Sequence, residues 1–308
     1  MIRVRDLRVD YDDVCAVRDL SLEVRPGEIC GLIGPNGAGK TSTMRAMIGL
    51  VEPTYGEIEI NGVDMREHPR EACRSLGFMP DSPPLYEDLK CWEFLDLFAA
   101  SYGVPRSGRK QVVERHLGLV GLTDKRNAPT VGLSRGMRQR LMLAKTLIPE
   151  PQVLLLDEPA SGVDPQGRID LKRVLHRLRE LGKTVLISSH ILSEMSEFCT
   201  AMAVMERGRL VTSGTIDEVR ARFASELVLK IELVSGEEEF LVRVKEDPLV
   251  TAVTGSAGHY QVSYRGNREQ AAELLANLIA AGARIVSFAP HKAGLEELFL
   301  KIGARELS

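Results

Sequence analysis

Eight residues, Gly34-Pro35-Asn36-Gly37-Ala38-Gly39-Lys40-Thr41, constrain this chain more than any other stretch. They fit the spacing GxxxxGKS/T, and they lie between an apolar run, Glu28 to Ile33, and a helix-compatible run, Ser42 to Leu50. Glycines let the backbone curl so that successive N–H groups point inward at phosphate oxygens. The helix that follows adds the positive end of its dipole. Lys40 has the reach for β- and γ-phosphates, and the Thr41 hydroxyl can ligate Mg²⁺. The loop thus predicts a strand–loop–helix unit for nucleotide phosphates. By itself it leaves kinases, GTPases and helicases equally open.

The surrounding pattern predicts an α/β core. Ile2 to Val9 and Leu20 to Val24 read as strands, and Glu57 to Ile60 followed by Asn61-Gly62 reads as one arm of a hairpin. From about Cys91 to Leu147 the periodicity is helical, with breaks at Gly103-Val104-Pro105 and at Gly121. Val153 to Leu156 and Val185 to Ser188 are short, continuously apolar runs, as expected of strands buried in a parallel sheet. Ile169 to Leu181 between them is an amphipathic helix closed by Gly182. Beyond Thr215-Ile216-Asp217-Glu218, which reads as a helix-opening capping box, the character changes. Strands are expected at Leu227 to Val234, Glu239 to Val244, Tyr260 to Tyr264 and Arg284 to Phe288, and helices at Asn267 to Ala281 and Leu295 to Ile302. That is a small α+β domain after a larger α/β one.

Composition narrows the setting. A net charge of −3 gives no global basic field for nucleic acid. The 5 cysteines form no CxxC pair, which argues against a zinc site and for reduced thiols. The N-terminus has no apolar stretch of the kind a secretory signal needs. No run approaches the ~18 apolar residues of a membrane-spanning helix, so a membrane role is expected only through a partner.

Five segments choose among the enzymes that the phosphate loop allows. Val153-Leu154-Leu155-Leu156-Asp157-Glu158 is an apolar strand ending in two acids, and the carboxyl end of a parallel strand faces the ligand crevice. Asp157 can hold Mg²⁺, and Glu158 can act as general base on the attacking water. Two solvated acids at a strand end would look the same in isolation. Upstream, Leu133-Ser134-Arg135-Gly136-Met137-Arg138-Gln139-Arg140 resembles the signature segment of the ABC ATPases. Arg135 stands where that family usually has glycine, and Met137 where it has glutamine. Ser134 could equally be the N-cap of an ordinary helix. Phe78-Met79-Pro80-Asp81 resembles the family's Q-loop, with Asp81 in place of the usual glutamine. Ala160-Ser161-Gly162-Val163-Asp164-Pro165 resembles its D-loop, and Ser188-Ser189-His190 its H-loop. Tyr11 lies where the family carries an aromatic that stacks on adenine. The closing run Leu295 to Lys301 resembles the end of exporter-type ABC subunits.

The resemblance implies a P-loop NTPase fold. A RecA-like parallel sheet core is expected with an antiparallel β subdomain and a helical subdomain, about 85–147, inside an ATPase domain at 1–220, followed by an α+β domain at 221–308. It implies ATP as substrate and Mg²⁺ as cofactor. ATP contacts are expected from Tyr11, Gly34, Pro35, Asn36, Gly37, Ala38, Gly39, Lys40, Thr41 and Ser42, and from Ser134, Gly136 and Asp164 across a dimer. Metal contacts are expected from Thr41, Asp81 and Asp157, and catalysis from Lys40, Glu158 and His190. One loop and one signature per chain imply a homodimer or heterodimer of ATPase subunits. Transport, in the export direction, would run through a membrane-spanning permease on a separate chain, with this subunit peripheral on the cytoplasmic face and no nucleic acid involved. A soluble ABC ATPase acting on nucleic acid or the ribosome is the alternative. Such proteins usually carry two modules and basic insertions, and this chain has one module and an acidic balance. A binding-only regulator is disfavoured by the intact Glu158 and His190.

Overall fold

The computed structural model describes residues 1–81, 85–86, 88–190, 195, 198–223 and 227–291. The chain divides into two compact units, Met1–Ile216 and Asp217–Ser308.

In the first unit, β1 (Ile2–Tyr11) and β2 (Val14–Val24) form an antiparallel pair, β3 (Ile29–Ile33) leads into α1 (Lys40–Met47), and β4 (Tyr55–Ile60) turns into β5 (Val63–Asp64). A short α2 (Pro69–Arg74) precedes β6 (Leu76–Met79). The helical segment follows as α3 (Cys91–Ser101), α4 (Arg106–Leu119) and α5 (Arg135–Leu147). The chain returns through β7 (Val153–Leu156), α6 (Pro165–Glu180), β8 (Thr184–Ser189), β9 (Ala201–Glu206) and β10 (Arg209–Thr215).

Two sheets result. One is antiparallel, in the order β2-β1-β4-β5; the other is six-stranded, in the order β10-β9-β3-β8-β7-β6. Within the second, β3 pairs in parallel with both β8 and β9, and β7 with both β6 and β8. Every residue of β3, β7 and β8 is buried, which is why these strands show no polar alternation, β8 running apolar from Val185 to Ile187. The two sheets and α1 share one core: Ile2, Val4 and Leu22 of the first sheet join Leu32, Leu155 and Leu186 of the second, with Met44 and Met47 of α1.

The second unit begins in α7 (Ile216–Phe223) and continues β11 (Leu227–Ser235), α8 (Glu237–Glu246), β12 (Val250–Ser256), β13 (His259–Tyr264), α9 (Arg268–Ala280) and β14 (Arg284–His291). Its sheet is antiparallel in the order β12-β13-β11-β14, a split β-α-β arrangement. Helix α9 has the reciprocal cap between Asn267 and Gln270.

Two expectations fail here. Glu239 to Val244 is part of helix α8, not a strand. The alternation Phe240, Val242, Val244 suggested period two, but only Phe240 and Val244, four apart, are buried, while Val242 is 58% exposed. Glu237, Glu238 and Glu239 in the first turn favour the helix dipole. Strand β12 went unanticipated: it is an edge strand with no buried residue and carries no alternation to read. The expected helix Leu295 to Ile302 lies outside the described residues.

Candidate active site

The glycine loop turns where its residue types require. Gly39 is the N-cap of α1 at φ +99°, and a Cβ there would lie 2.5 Å from the Ala16 carbonyl oxygen. No acidic residue occupies the first turn of α1, so its positive end is left for an external anion. The helix starts at Lys40, two residues earlier than the sequence suggests. Lys40 is 6% exposed. Its Nζ donates to the carbonyls of Gly34 (2.7 Å) and Pro35 (3.2 Å) and pairs with Glu158 Oε1 at 3.6 Å. Burial pushes the ammonium pKa down, and the carboxylates of Glu158 and Asp157 act against that shift.

The two acids at the end of β7 have different surroundings. Asp157 is 4% exposed. Its N–H donates to the Met79 carbonyl at 2.8 Å, while its carboxylate accepts from the Thr41 hydroxyl (3.0 Å) and the Ser188 hydroxyl (2.5 Å). Glu158 sits at φ +48°, a left-handed conformation costly for a side chain of this length. Its N–H donates to Ser188 Oγ at 2.9 Å. Its Oε2 lies 2.8 Å from Nδ1 of His190. Ser188 therefore fixes both acids. In the sequence it stands only as part of a motif; the clue there is the pair Ser188-Ser189 closing a buried strand that is apolar from Val185 to Ile187.

These groups border a cleft of about 690 Å³ that also reaches Tyr11, Arg18, Asp81 and Arg207. Tyr11, at the end of β1, is 37% exposed. Arg18 and Arg207 are cations that the motifs do not mark. The β9–β10 turn, Arg207-Gly208, has positive φ at both residues, and it folds onto the phosphate loop. There the Gly208 N–H donates to the Ala38 carbonyl (3.0 Å) and the Gly208 carbonyl accepts from the Arg18 N–H (2.7 Å). Asp81 reaches the cleft two residues beyond β6.

Ser134, Gly136 and Asp164 form a second cluster and do not line this cleft. Ser134 caps α5, its Oγ accepting from the Met137 N–H at 3.3 Å. Gly136 faces the start of α6: a Cβ there would sit 3.0 Å from Val163 and 3.5 Å from the Asp164 carboxylate. Arg135, in the position of the family's glycine, donates to Ser161 Oγ at 3.4 Å and so lies along the loop before Asp164.

Comparison with known proteins agrees with this architecture. Residues 17–161 match the family described as ABC transporter. Residues 214–302 match the ATP-binding protein DrrA1-3-like C-terminal domain. An ABC transporter ATP-binding protein of Nostoc sp. is 34% identical over 309 residues, covering 97% of this chain and 89% of the relative. The Nod factor export ATP-binding protein I of Cupriavidus metallidurans is 33% identical, over 100% of this chain and 98% of its own. A solved ATP-binding subunit of an ABC transporter superposes with a TM-score of 0.65 at 32% identity, covering 73% of this chain and 93% of that one. With a phosphate loop, signature helix and paired acids in this order, and relatives matched nearly end to end, this chain belongs to the ABC transporter ATPases, as an ATP-binding and ATP-hydrolysing subunit of a transporter.

Proposed function

We propose that the subunit hydrolyses MgATP in a two-chain sandwich and thereby drives export through a separate membrane-spanning permease. The observation that carries the reading is the bonded network joining Lys40, Glu158 and His190 beside Thr41, Asp157 and Ser188.

Each residue has a role that follows from its surroundings. The N–H groups of Gly37 and of Gly39 to Ser42 and the positive end of α1 bind the phosphates, with Gly34, Pro35, Asn36 and Ala38 shaping the loop. Lys40 exchanges its loop carbonyls and Glu158 for β- and γ-phosphate oxygens. Tyr11 stacks on the base. Thr41, Asp157 and Asp81 offer oxygen donors only, a set suited to Mg²⁺, which takes one or two carboxylates plus phosphate oxygens. Among the described residues no group of three or more His, Cys, Asp or Glu is arranged to hold a metal ion by itself, so the phosphates would have to complete the coordination. Held by Thr41, Asp157 and Asp81, the ion would supply positive charge that offsets the negative charge developing on the phosphates. Glu158 takes a proton from the attacking water. His190, joined to Glu158 Oε2, orients that base and the γ-phosphate.

Ser134 and Gly136, remote from their own chain's cleft, cover the γ-phosphate of the second copy, with Asp164 beside them at the interface. No helix among the described residues is long and apolar enough to cross a membrane, which suits a subunit peripheral on the cytoplasmic face. The export direction is supported by the relative named for Nod factor export.

The test is a pull-down of the tagged Glu158→Gln variant from detergent-solubilised membranes in MgATP. A multi-span membrane protein is expected to co-purify. Recovery of ribosomes or nucleic acid without any membrane protein would overturn the transporter assignment in favour of a soluble ABC ATPase.

A further inference from the structure

Helix α5 makes contacts in two directions. Its first turn carries Ser134 and Gly136 and packs on the loop that ends at Asp164. Its second turn carries Gln139, which is 6% exposed and whose Nε2 donates to the backbone carbonyl of Asp81 at 3.1 Å. The other amide atom, Oε1, is buried and has no hydrogen-bond partner among the described residues. Burying a primary amide with an unmatched acceptor is unfavourable. An apolar side chain of the same volume would avoid that cost. What glutamine adds here is the single bond to Asp81.

That bond falls at a sensitive point. The chain leaving β6 is held once by the sheet, where the Met79 carbonyl accepts from the Asp157 N–H at 2.8 Å. It is held a second time, two residues on, by Gln139. Between these ties the backbone is set so that Asp81 lines the cleft that also contains Asp157 and Thr41.

We infer that Gln139 is a positioning residue for the metal side of the site. It fixes the Asp81 backbone so that the carboxylate faces the cleft, and it ties that position to the helix whose first turn carries the signature residues. A displacement of α5 then moves Asp81 relative to Asp157. The inference rests on the proposed metal role of Asp81.

The experiment uses the full chain in a Glu158→Gln background, with MANT-ATP as the probe. Mg²⁺ is titrated by the fluorescence of the bound nucleotide, and nucleotide affinity is measured separately in EDTA. The variants are Gln139→Leu, Asp81→Ala and the pair, with Gln139→Met as the substitute should Gln139→Leu fail to fold. Loss of the residue behind a metal ligand weakens metal binding by about 10-fold or more. Gln139→Leu is therefore expected to raise half-saturating Mg²⁺ about tenfold while leaving affinity in EDTA unchanged, and to add nothing in the Asp81→Ala background. Asp81→Ala shifting the Mg²⁺ curve while Gln139→Leu does not would overturn the role of Gln139 alone. An equal shift from Gln139→Leu with and without Asp81 would reveal a merely structural effect and also overturn it. An unchanged Mg²⁺ curve in Asp81→Ala would sink the metal role of Asp81 and this inference together.

Discussion

The proposed role of Glu158 as general base predicts that replacing it with glutamine separates binding from chemistry, each moving in a definite direction. The substitution keeps the side chain's size but removes its charge and its capacity to accept a proton from water. General-base catalysis contributes about 10²–10⁴ in rate, so kcat is expected to fall by roughly a thousandfold, about 4 kcal/mol in the barrier. Binding should respond oppositely. Lys40 Nζ is held 3.6 Å from Glu158 Oε1, with the two side chains only 6% and 15% exposed. At an effective dielectric constant of ~20, that separation corresponds to a gross attraction of about 5 kcal/mol. Most of it is offset by desolvation and is replaced by phosphate when ATP enters. The remainder is a competition between carboxylate and γ-phosphate for one ammonium. Removing it should tighten ATP by about 1 kcal/mol, roughly fivefold. Nucleotide affinity is read by MANT-ATP titration and turnover by phosphate release. A kcat loss under tenfold, or an affinity weakened more than threefold, would refute the assignment of Glu158 as base and competitor.

Three other perturbations probe the same structure. Gly39→Ala places a methyl against the Ala16 carbonyl at φ +99°, so overpacking and strain of about 3 kcal/mol should lower Tm by about 6–12 °C in thermal denaturation; an unchanged Tm would contradict the loop geometry. Cys73 is exposed, whereas burial pushes the thiols of Cys30, Cys91 and Cys199 up. DTNB at pH 8 should therefore modify Cys73 rapidly and those three only after unfolding. The hydrogen bond from Arg8 holds the Asp10 carboxyl down at about 2, against an ordinary 3.8. A depressed acid contributes stability that is complete above its ordinary value and is lost as pH falls toward 2. Asp10→Asn should therefore flatten the acid limb of Tm against pH, and an identical slope would show the pair contributes nothing.

Local chemistry was readable wherever backbone and side-chain demands coincide. The Gly34–Thr41 loop needs glycine at left-handed positions and a helix start immediately after it, and those needs are met by neighbours in sequence. Buried parallel strands announce themselves because both faces must be apolar, as in Val153–Leu156. Helix α8 was misread because Phe240, Val242 and Val244 satisfy a strand's alternation as well as they satisfy half a helix face. The second unit's edge strand was missed because its side chains are not required to bury anything.

The sequence by itself determined the reaction class, the phosphate loop and the acids that follow an apolar strand, since each depends on residue types at short spacing. Only the tertiary structure decided which distant groups meet them. The order β9-β3-β8-β7-β6 brings residues 41, 81, 157, 188 and 207 to one end of a sheet. No periodicity in the chain records that order, because it arises from parallel pairing between strands separated by whole helices. Ser188 beneath both acids, Arg207 over the phosphate loop and Gln139 behind Asp81 are polar residues like many others until non-local pairing sets what each one faces.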